Sequence, residues 1–319
     1  MGLRRASLSR SVRAVFRPAT CFALTLLTLA GCGDEPPPFT PEPTVDAGPA
    51  LDAGADVVET PDVPVVTDRG VIPVTDRGPA LDQTVIYAHS DTELFTVDPR
   101  TDAFRSVGMF RYPSGDRNNH TMTDIAVNAM GEVVGVTHDA LWRIDATNAS
   151  CTLIRTLPDE RVFVGLTYLP AGVLDADREV LVGGTISDGT YWRIDPETGR
   201  STMLGRFRVG STNYILSGDI VSIAGAATYV TVRRSNASST SNDQLATVNV
   251  NTGALTLVGD TGFDRIFGLG YWRSTLFGFT REGEFIRLAS DTGRGRRVSS
   301  PAMQFSGAGV TTVAPTAPP

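Results

Sequence analysis

From about residue 85 onward, apolar and polar positions alternate in runs of about four to eight residues, the signature of strands with one or both faces covered. No stretch there keeps a helical recurrence over ten residues. Five segments repeat one order of three such runs, beginning at Val85, Val133, Val180, Thr228 and Thr275. In each, the second and third runs are joined by a turn of the D-P-x-T-G kind. The aligned turn residues are Asp98, Asp145, Asp195, Asn249 and Ala289, spaced 47, 50, 54 and 40 residues apart. An Asp or Asn there bonds its own backbone two residues on, while Gly199, Gly253 and Gly293 supply a positive φ. The repeated aspartate is therefore expected to be a turn residue and not a catalytic one.

A fourth run lies between segments, at residues 124–128, 164–169, 219–224 and 267–272. A fifth copy, 305–313, stands alone near the C-terminus. Four strands per repeat at a period in the forties indicate a β-propeller. The first repeat lacks the run that the last one has to spare. The sequence thus predicts an all-β fold: a five-bladed propeller over residues 81–319, closed by pairing 305–313 with the strand near Val85–His89. Closure of this kind removes an open edge.

The N-terminal part follows different rules. Arg4, Arg5, Arg10, Arg13 and Arg17 precede a short apolar run, 22–30, too short to span a bilayer, where roughly 20 apolar residues are needed. The run ends Leu29-Ala30-Gly31-Cys32, which resembles a bacterial lipobox. The resemblance implies a signal peptide over residues 1–31, removal of that leader, and acylation (palmitate and related chains) of Cys32, the lipidation site. Several acyl chains suffice for stable membrane attachment. Gly33, in place of an aspartate after the cysteine, points by resemblance to the outer membrane, so the expected location is the bacterial cell envelope. Residues 33–80 hold ten of the 20 prolines and ten acids against two arginines. Such a composition cannot bury enough apolar surface to fold, so 32–80 is expected to be the acylated cysteine followed by a disordered tether.

Composition narrows the chemistry. All 28 basic residues are arginine, which excludes Schiff-base or lysine-nucleophile catalysis. A formal net charge of −7 argues against a nucleic-acid partner. After loss of the leader, Cys32 and Cys151 are the only cysteines, and with Cys32 acylated no intrachain disulfide remains; Cys151 is expected to be a buried apolar residue. No nucleophile elbow or cofactor signature occurs, and no cofactor is expected.

Loops between strands two and three of a blade, and loops between blades, share the face around the central channel. The candidates for a ligand there are His89, Asp91, His120, Asp124, His138, Asp139 and Asp219, with Asp243 and Arg281 among the other charged residues of that face. Asp124 and Asp219 open inner strands and are expected to point at the channel. One sketch gathers His89, His120, His138 and Asp124 into a metal site, since imidazole beside carboxylate suits zinc or a harder divalent ion. A second treats Asp124 and Asp219 as a glycosidase pair.

The run LWRIDATNASCTLIRTLP, with GLTYLPAG or DIAVNAMGE as the inner strand, resembles the YVTN-type repeat of bacterial surface propellers across roughly residues 85–313. YVTN itself is absent, and the Asp-Gly turn expected after the inner strand is replaced by Met130-Gly131 and Ala171-Gly172. The resemblance implies the fold and leaves activity open, since propellers host binding, lyase, lactonase and glycosidase functions alike. The expectation is a non-catalytic binding or scaffolding module whose propeller face meets an envelope protein or glycan. The alternative is a metal-assisted hydrolase or lyase resembling lactonase-type propellers.

Overall fold

The computed structural model describes residues 84–113, 120–157 and 161–317. The leader, Cys32 and the proline-rich segment lie outside the described residues. Among the described residues there is no helix, and five antiparallel sheets form a five-bladed β-propeller.

Blade 1 is β21 (Gly307–Val310), β1 (Ile86–His89), β2 (Glu93–Asp98) and β3 (Ala103–Met109), in that spatial order. Blade 2 is β4 (Asp124–Val127), β5 (Val133–Val136), β6 (Ala140–Ile144) and β7 (Cys151–Thr156). Blade 3 is β8 (Phe163–Leu169), β9 (Val180–Thr185), β10 (Thr190–Ile194) and β11 (Ser201–Arg206). Blade 4 is β13 (Thr212–Ser222), β14 (Thr228–Arg234), β15 (Gln244–Val248) and β16 (Leu255–Asp260), with the two-residue β12 (Arg208–Val209) added beside β13. Blade 5 is β17 (Ile266–Trp272), β18 (Thr275–Thr280), β19 (Phe285–Ala289) and β20 (Gly295–Ser299).

Ring closure is as the repeat count predicts. β21 pairs antiparallel with β1, Ile86 opposite Val310 and His89 opposite Gly307. The two ends of the domain thus share one blade, and the inner strands β21, β4, β8, β13 and β17 contact one another in a ring.

Burial explains the composition of each strand. The inner strands have neighbours on both faces; β4 and β21 are buried at every position. Strands buried on both faces read as continuous small or apolar runs, here Asp-Ile-Ala-Val and Gly-Ala-Gly-Val. The outermost strands carry threonine and arginine towards solvent, as in β7, where only Cys151 is buried. Charged or polar outer edges discourage pairing with another chain. Burial also pushes the Cys151 thiol up to about 12, in keeping with an inert packing role.

The outer turns obey one rule five times. The amide four residues after each turn position donates to that position's carbonyl at 2.8 Å: Asp102 to Asp98, Ala149 to Asp145, Gly199 to Asp195, Gly253 to Asn249 and Gly293 to Ala289. All five donors have a positive φ, between 59° and 75°. In four blades the side chain adds the expected second bond, to the amide two residues on: Asp98 to Arg100, Asp145 to Thr147, Asp195 to Glu197 and Asn249 to Asn251, at 2.8–3.1 Å. Ala289 has no side-chain acceptor. The repeated aspartates are thus turn residues.

Aromatic residues crowd the interface that closes the ring. Phe277, Phe279, Phe285 and Phe305 are fully buried and pack with Phe104 of blade 1. Blade-to-blade packing therefore accounts for most of the aromatic richness of blade 5.

Candidate functional site: the channel and its mouth

Superposing the five inner-strand entries gives a four-residue frame: Phe305-Ser306-Gly307-Ala308, Met122-Thr123-Asp124-Ile125, Phe163-Val164-Gly165-Leu166, Leu216-Ser217-Gly218-Asp219 and Ile266-Phe267-Gly268-Leu269. The first position is buried core in all five. In blades 3, 4 and 5 a register shift falls just after it, between Phe163 and Gly165, Leu216 and Ile220, and Ile266 and Gly268. A bulge re-aims the extra side chain. All five second-position residues, Ser306, Thr123, Val164, Ser217 and Phe267, line one cavity of about 140 Å³ at the mouth of the channel. Met122 and Ile186 add to its apolar wall, and Asp91 and Arg281 stand at its rim.

The third position lies where the five strands approach most closely. A Cβ on Gly218 would collide with the carbonyl oxygen of Ile266 in the next blade, and one on Gly307 would collide with Asp124 and His89. Blade 2 alone breaks the glycine pattern, with Asp124, and blade 4 alone puts an acid, Asp219, at the fourth position. Both carboxyls are fully buried. Asp124 Oδ2 accepts the Leu166 amide at 2.5 Å, joining blade 2 to blade 3. Asp219 Oδ2 accepts the Leu269 amide at 2.6 Å, joining blade 4 to blade 5, and its Oδ1 accepts the Ile220 amide at 2.5 Å.

The two acids lie within reach of each other. Burial first, and then the neighbouring Asp219 charge, raise Asp124 well above the usual carboxylate range. Burial likewise raises Asp219, against the amide bonds that favour its anion. Two buried carboxyls beside each other cannot both ionise cheaply.

His89 closes β1 beneath Gly307 and is fully buried, not a loop residue open to the mouth. Its Nδ1–H donates to the Ser90 carbonyl at 2.7 Å, which leaves Nε2 without a proton in the neutral ring. Nε2 stands 3.7 Å from Asp124 Oδ1, and neither atom has a hydrogen-bond partner. Burial lowers His89 to about 4, so at neutral pH this contact is not an ion pair.

The four-residue metal sketch is not assembled. Only His89 and Asp124 meet. The His120 side chain is buried against Tyr112 and Trp142, with ring centroids 4.5 and 4.9 Å away, and its Nδ1 lies 3.7 Å from Asp139 Oδ1. His138 and Asp139 are exposed. Among the described residues no group of three or more His, Cys, Asp or Glu side chains is placed to hold a metal ion. The reason is geometric: His89 ends a strand at the axis, while His120 packs on a ring system of blade 2.

Two matching triads flank the mouth. In blade 1, Ser306 donates to Asp91 Oδ1, and Arg281 Nη1 donates to both Asp91 Oδ1 and Ser306 Oγ at 2.9 Å. Arg281 holds Asp91 below the usual carboxylate range. In blade 4, Ser217 donates to Asp243 Oδ1, Arg233 Nη1 donates to Ser217 Oγ at 2.9 Å, and Asp243 Oδ2 accepts the Ile266 amide at 2.8 Å. Burial nevertheless raises Asp243 to about 6. Asp91, Arg281 and Asp243 were visible as face residues; Arg233, inside β14, was not. The serines were not, because a lone serine before a glycine carries no sequence signal.

No family model matches the sequence, and no curated protein matches it. Among solved structures the chain is similar to a protein of unknown function from Bacteroides caccae, at 10% identity and a TM-score of 0.36, covering 68% of this chain and 73% of that one.

Proposed function

We propose that this protein is a lipid-anchored binding module of a bacterial envelope. In this reading Cys32 carries the acyl anchor, residues 33–80 are the spacer, and the propeller is of the YVTN-like kind. The partner, an envelope protein or glycan, meets the face around the channel mouth. The observation that carries the non-catalytic reading is the mutual neutralisation of the mouth's polar groups. Asp91 is spent on Arg281 and Ser306, and Asp243 on Ser217 and the Ile266 amide. The carboxylates that hold the two serine protons are themselves held, Asp91 by Arg281 and Asp243 by the Ile266 amide, and the cavity is smaller than the roughly 300–1,000 Å³ of small-molecule sites.

Two measurements test the reading. An alkyne fatty acid fed to cells should label the wild type and not Cys32→Ser; equal labelling of both would remove the anchor. Purified protein should sediment saturably with isolated envelopes and lose that retention on Val164→Arg, which fills the mouth. Retention indifferent to Val164→Arg would remove the mouth as the binding surface.

A further inference from the structure

We propose that the channel mouth binds a primary ammonium group carried on a short alkyl chain, presented by the partner. The inference rests on the reading of the mouth as a binding surface and names the chemistry that surface selects.

Where the hydroxyl protons go decides what the mouth can bind. Three of the five second-position residues are hydroxylic. Thr123 gives its proton to the Val136 carbonyl at 2.9 Å. Ser217 gives its own to Asp243, and Ser306 to Asp91. A hydroxyl whose proton is committed offers only lone pairs to anything else. Ser306 and Ser217 each give one lone pair to Arg281 and Arg233 and keep a second, so the ring around the mouth presents acceptors from blades 1, 2 and 4, and apolar surface, Val164 and Phe267, from blades 3 and 5. A ligand that fits must bring several N–H or O–H donors and an apolar stem. The ammonium group brings three donors and no acceptor.

Charge points the same way. Asp91 is balanced by Arg281, and Arg233 stands by Asp243 through Ser217. His89 is neutral when its Nδ1 alone is protonated. What remains is the Asp124–Asp219 pair, whose carboxyl oxygens accept backbone amides and meet no arginine. Asp124 directly follows Thr123, and Asp219 lies two residues beyond Ser217. Carboxyl oxygens behind the mouth favour a cation there over an anion. Phe267 lines the same cavity and adds an aromatic ring, a group that attracts cations. An anion would have to compete with Asp91 for Arg281, whose Nη1 already serves Asp91 and Ser306 and whose Nη2 reaches Asp91 at 3.3 Å.

Calorimetric titration of the full-length protein at neutral pH with n-butylammonium, n-butanol and butyrate tests the class. Butylammonium should bind saturably in the millimolar range, with butanol about tenfold weaker, the usual worth of a hydrogen bond to a charged group. Butyrate should not bind. Thr123→Val and Ser306→Ala should each weaken butylammonium by several-fold, while Thr123→Ser, which keeps the acceptor, should not. Thr123→Ser also serves if Thr123→Val does not fold. Butanol or butyrate binding as tightly as butylammonium would overturn the proposal. So would a loss of binding in Thr123→Ser equal to that in Thr123→Val.

Two sources of such an ammonium, envelope proteins and amine-bearing glycan, separate on acetylation. Blocking the amines of extracted proteins or of isolated sacculi should abolish retention by one of them; retention surviving both treatments would overturn the proposal. Should butylammonium fail while retention still depends on Val164, the ammonium class falls and the binding module stands. Should butylammonium bind while retention ignores Val164, the module reading falls instead.

Discussion

The outer turns and the channel axis are built from the same five repeats, yet they follow opposite rules. At the rim, five turns close with the same 2.8 Å backbone bond and the same positive φ. At the axis, five strands entering in the same frame carry Gly, Gly, Gly, Gly and Asp at one position and Ala, Ile, Leu, Asp and Leu at the next. The difference is one of shared space. Each outer turn satisfies its polar groups alone, so one solution serves in every blade. The inner strands converge on a single volume, and five like side chains there would either collide or leave a hole. Symmetry has to break, and here it breaks with two acids that stitch blade 2 to 3 and blade 4 to 5.

The largest test of this contrast removes one inner strand. Deleting residues 303–319 takes away β21 and the buried Phe305, Ala308 and Val310. The ring then loses a blade interface and exposes an unpaired edge. The expected product aggregates or is rapidly proteolysed. A soluble protein with a cooperative melt would show that closure through β21 is dispensable.

Next in size is Gly218→Ala. Its methyl group would meet the Ile266 backbone, which cannot turn aside as a side chain could. An overpacked site of this kind costs about 3 kcal/mol. Urea unfolding measures it, and a change within error of zero would mean that the axis is looser than the close approach implies.

The acid pair should give stability an alkaline slope. The fold keeps a proton on Asp124–Asp219 at pH values where unfolded carboxyls, with an ordinary value of 3.8, have lost theirs. The folded state then holds more protons, and stability falls as pH rises towards the folded values, by up to about 1.4 kcal/mol per pH unit for one proton. Asp243, raised to about 6, contributes the same sign below that value. His89 opposes both: lowered from 6.5 to about 4, it makes stability rise across that interval. Asp124→Asn keeps an acceptor for the Leu166 amide and gives Asp219 an N–H donor. It should flatten the decline in urea stability as pH rises above the ordinary carboxyl value of 3.8, His89 and Asp243 contributing alike to both proteins. An equally steep decline in the variant would place its origin elsewhere.

This contrast also marks how far the sequence can be read. Rim features were legible because their causes are local: Asp98 and Asn249 act on residues two and four positions away. Closure by 305–313 was legible from the strand count. The Asp124–Asp219 contact was half legible, since both acids open inner strands. Nothing along the chain states that residues 95 apart influence each other's ionisation. His89 read as a loop residue because β1 is only four residues long and ends on it. Ser217 and Ser306 gain meaning only from where their protons point, which depends on Asp243 and Asp91 arriving from other loops.

The smallest prediction concerns the rim and uses the one turn that falls short. Ala289 keeps the backbone bond to Gly293 and the positive φ there but cannot bond the amide two residues on. Asn249, aligned with it, does so at 3.1 Å. Both positions are exposed, so neither side chain is held by packing. If the turn is a local, self-sufficient unit, the side-chain bond should be removable and installable at equal and opposite value. Asn249→Ala should lose about 0.5 kcal/mol, and Ala289→Asn should gain about the same, the low end for an exposed hydrogen bond. Asparagine suits the second change better than aspartate because Asp291 lies at the amide to be bonded and would repel a new charge. The double variant should return to wild-type stability, since the two turns belong to different blades and share no partner. Non-additivity would mean that strain passes between blades through the outer turns, and the division between a local rim and a shared axis would then fail at its simpler end.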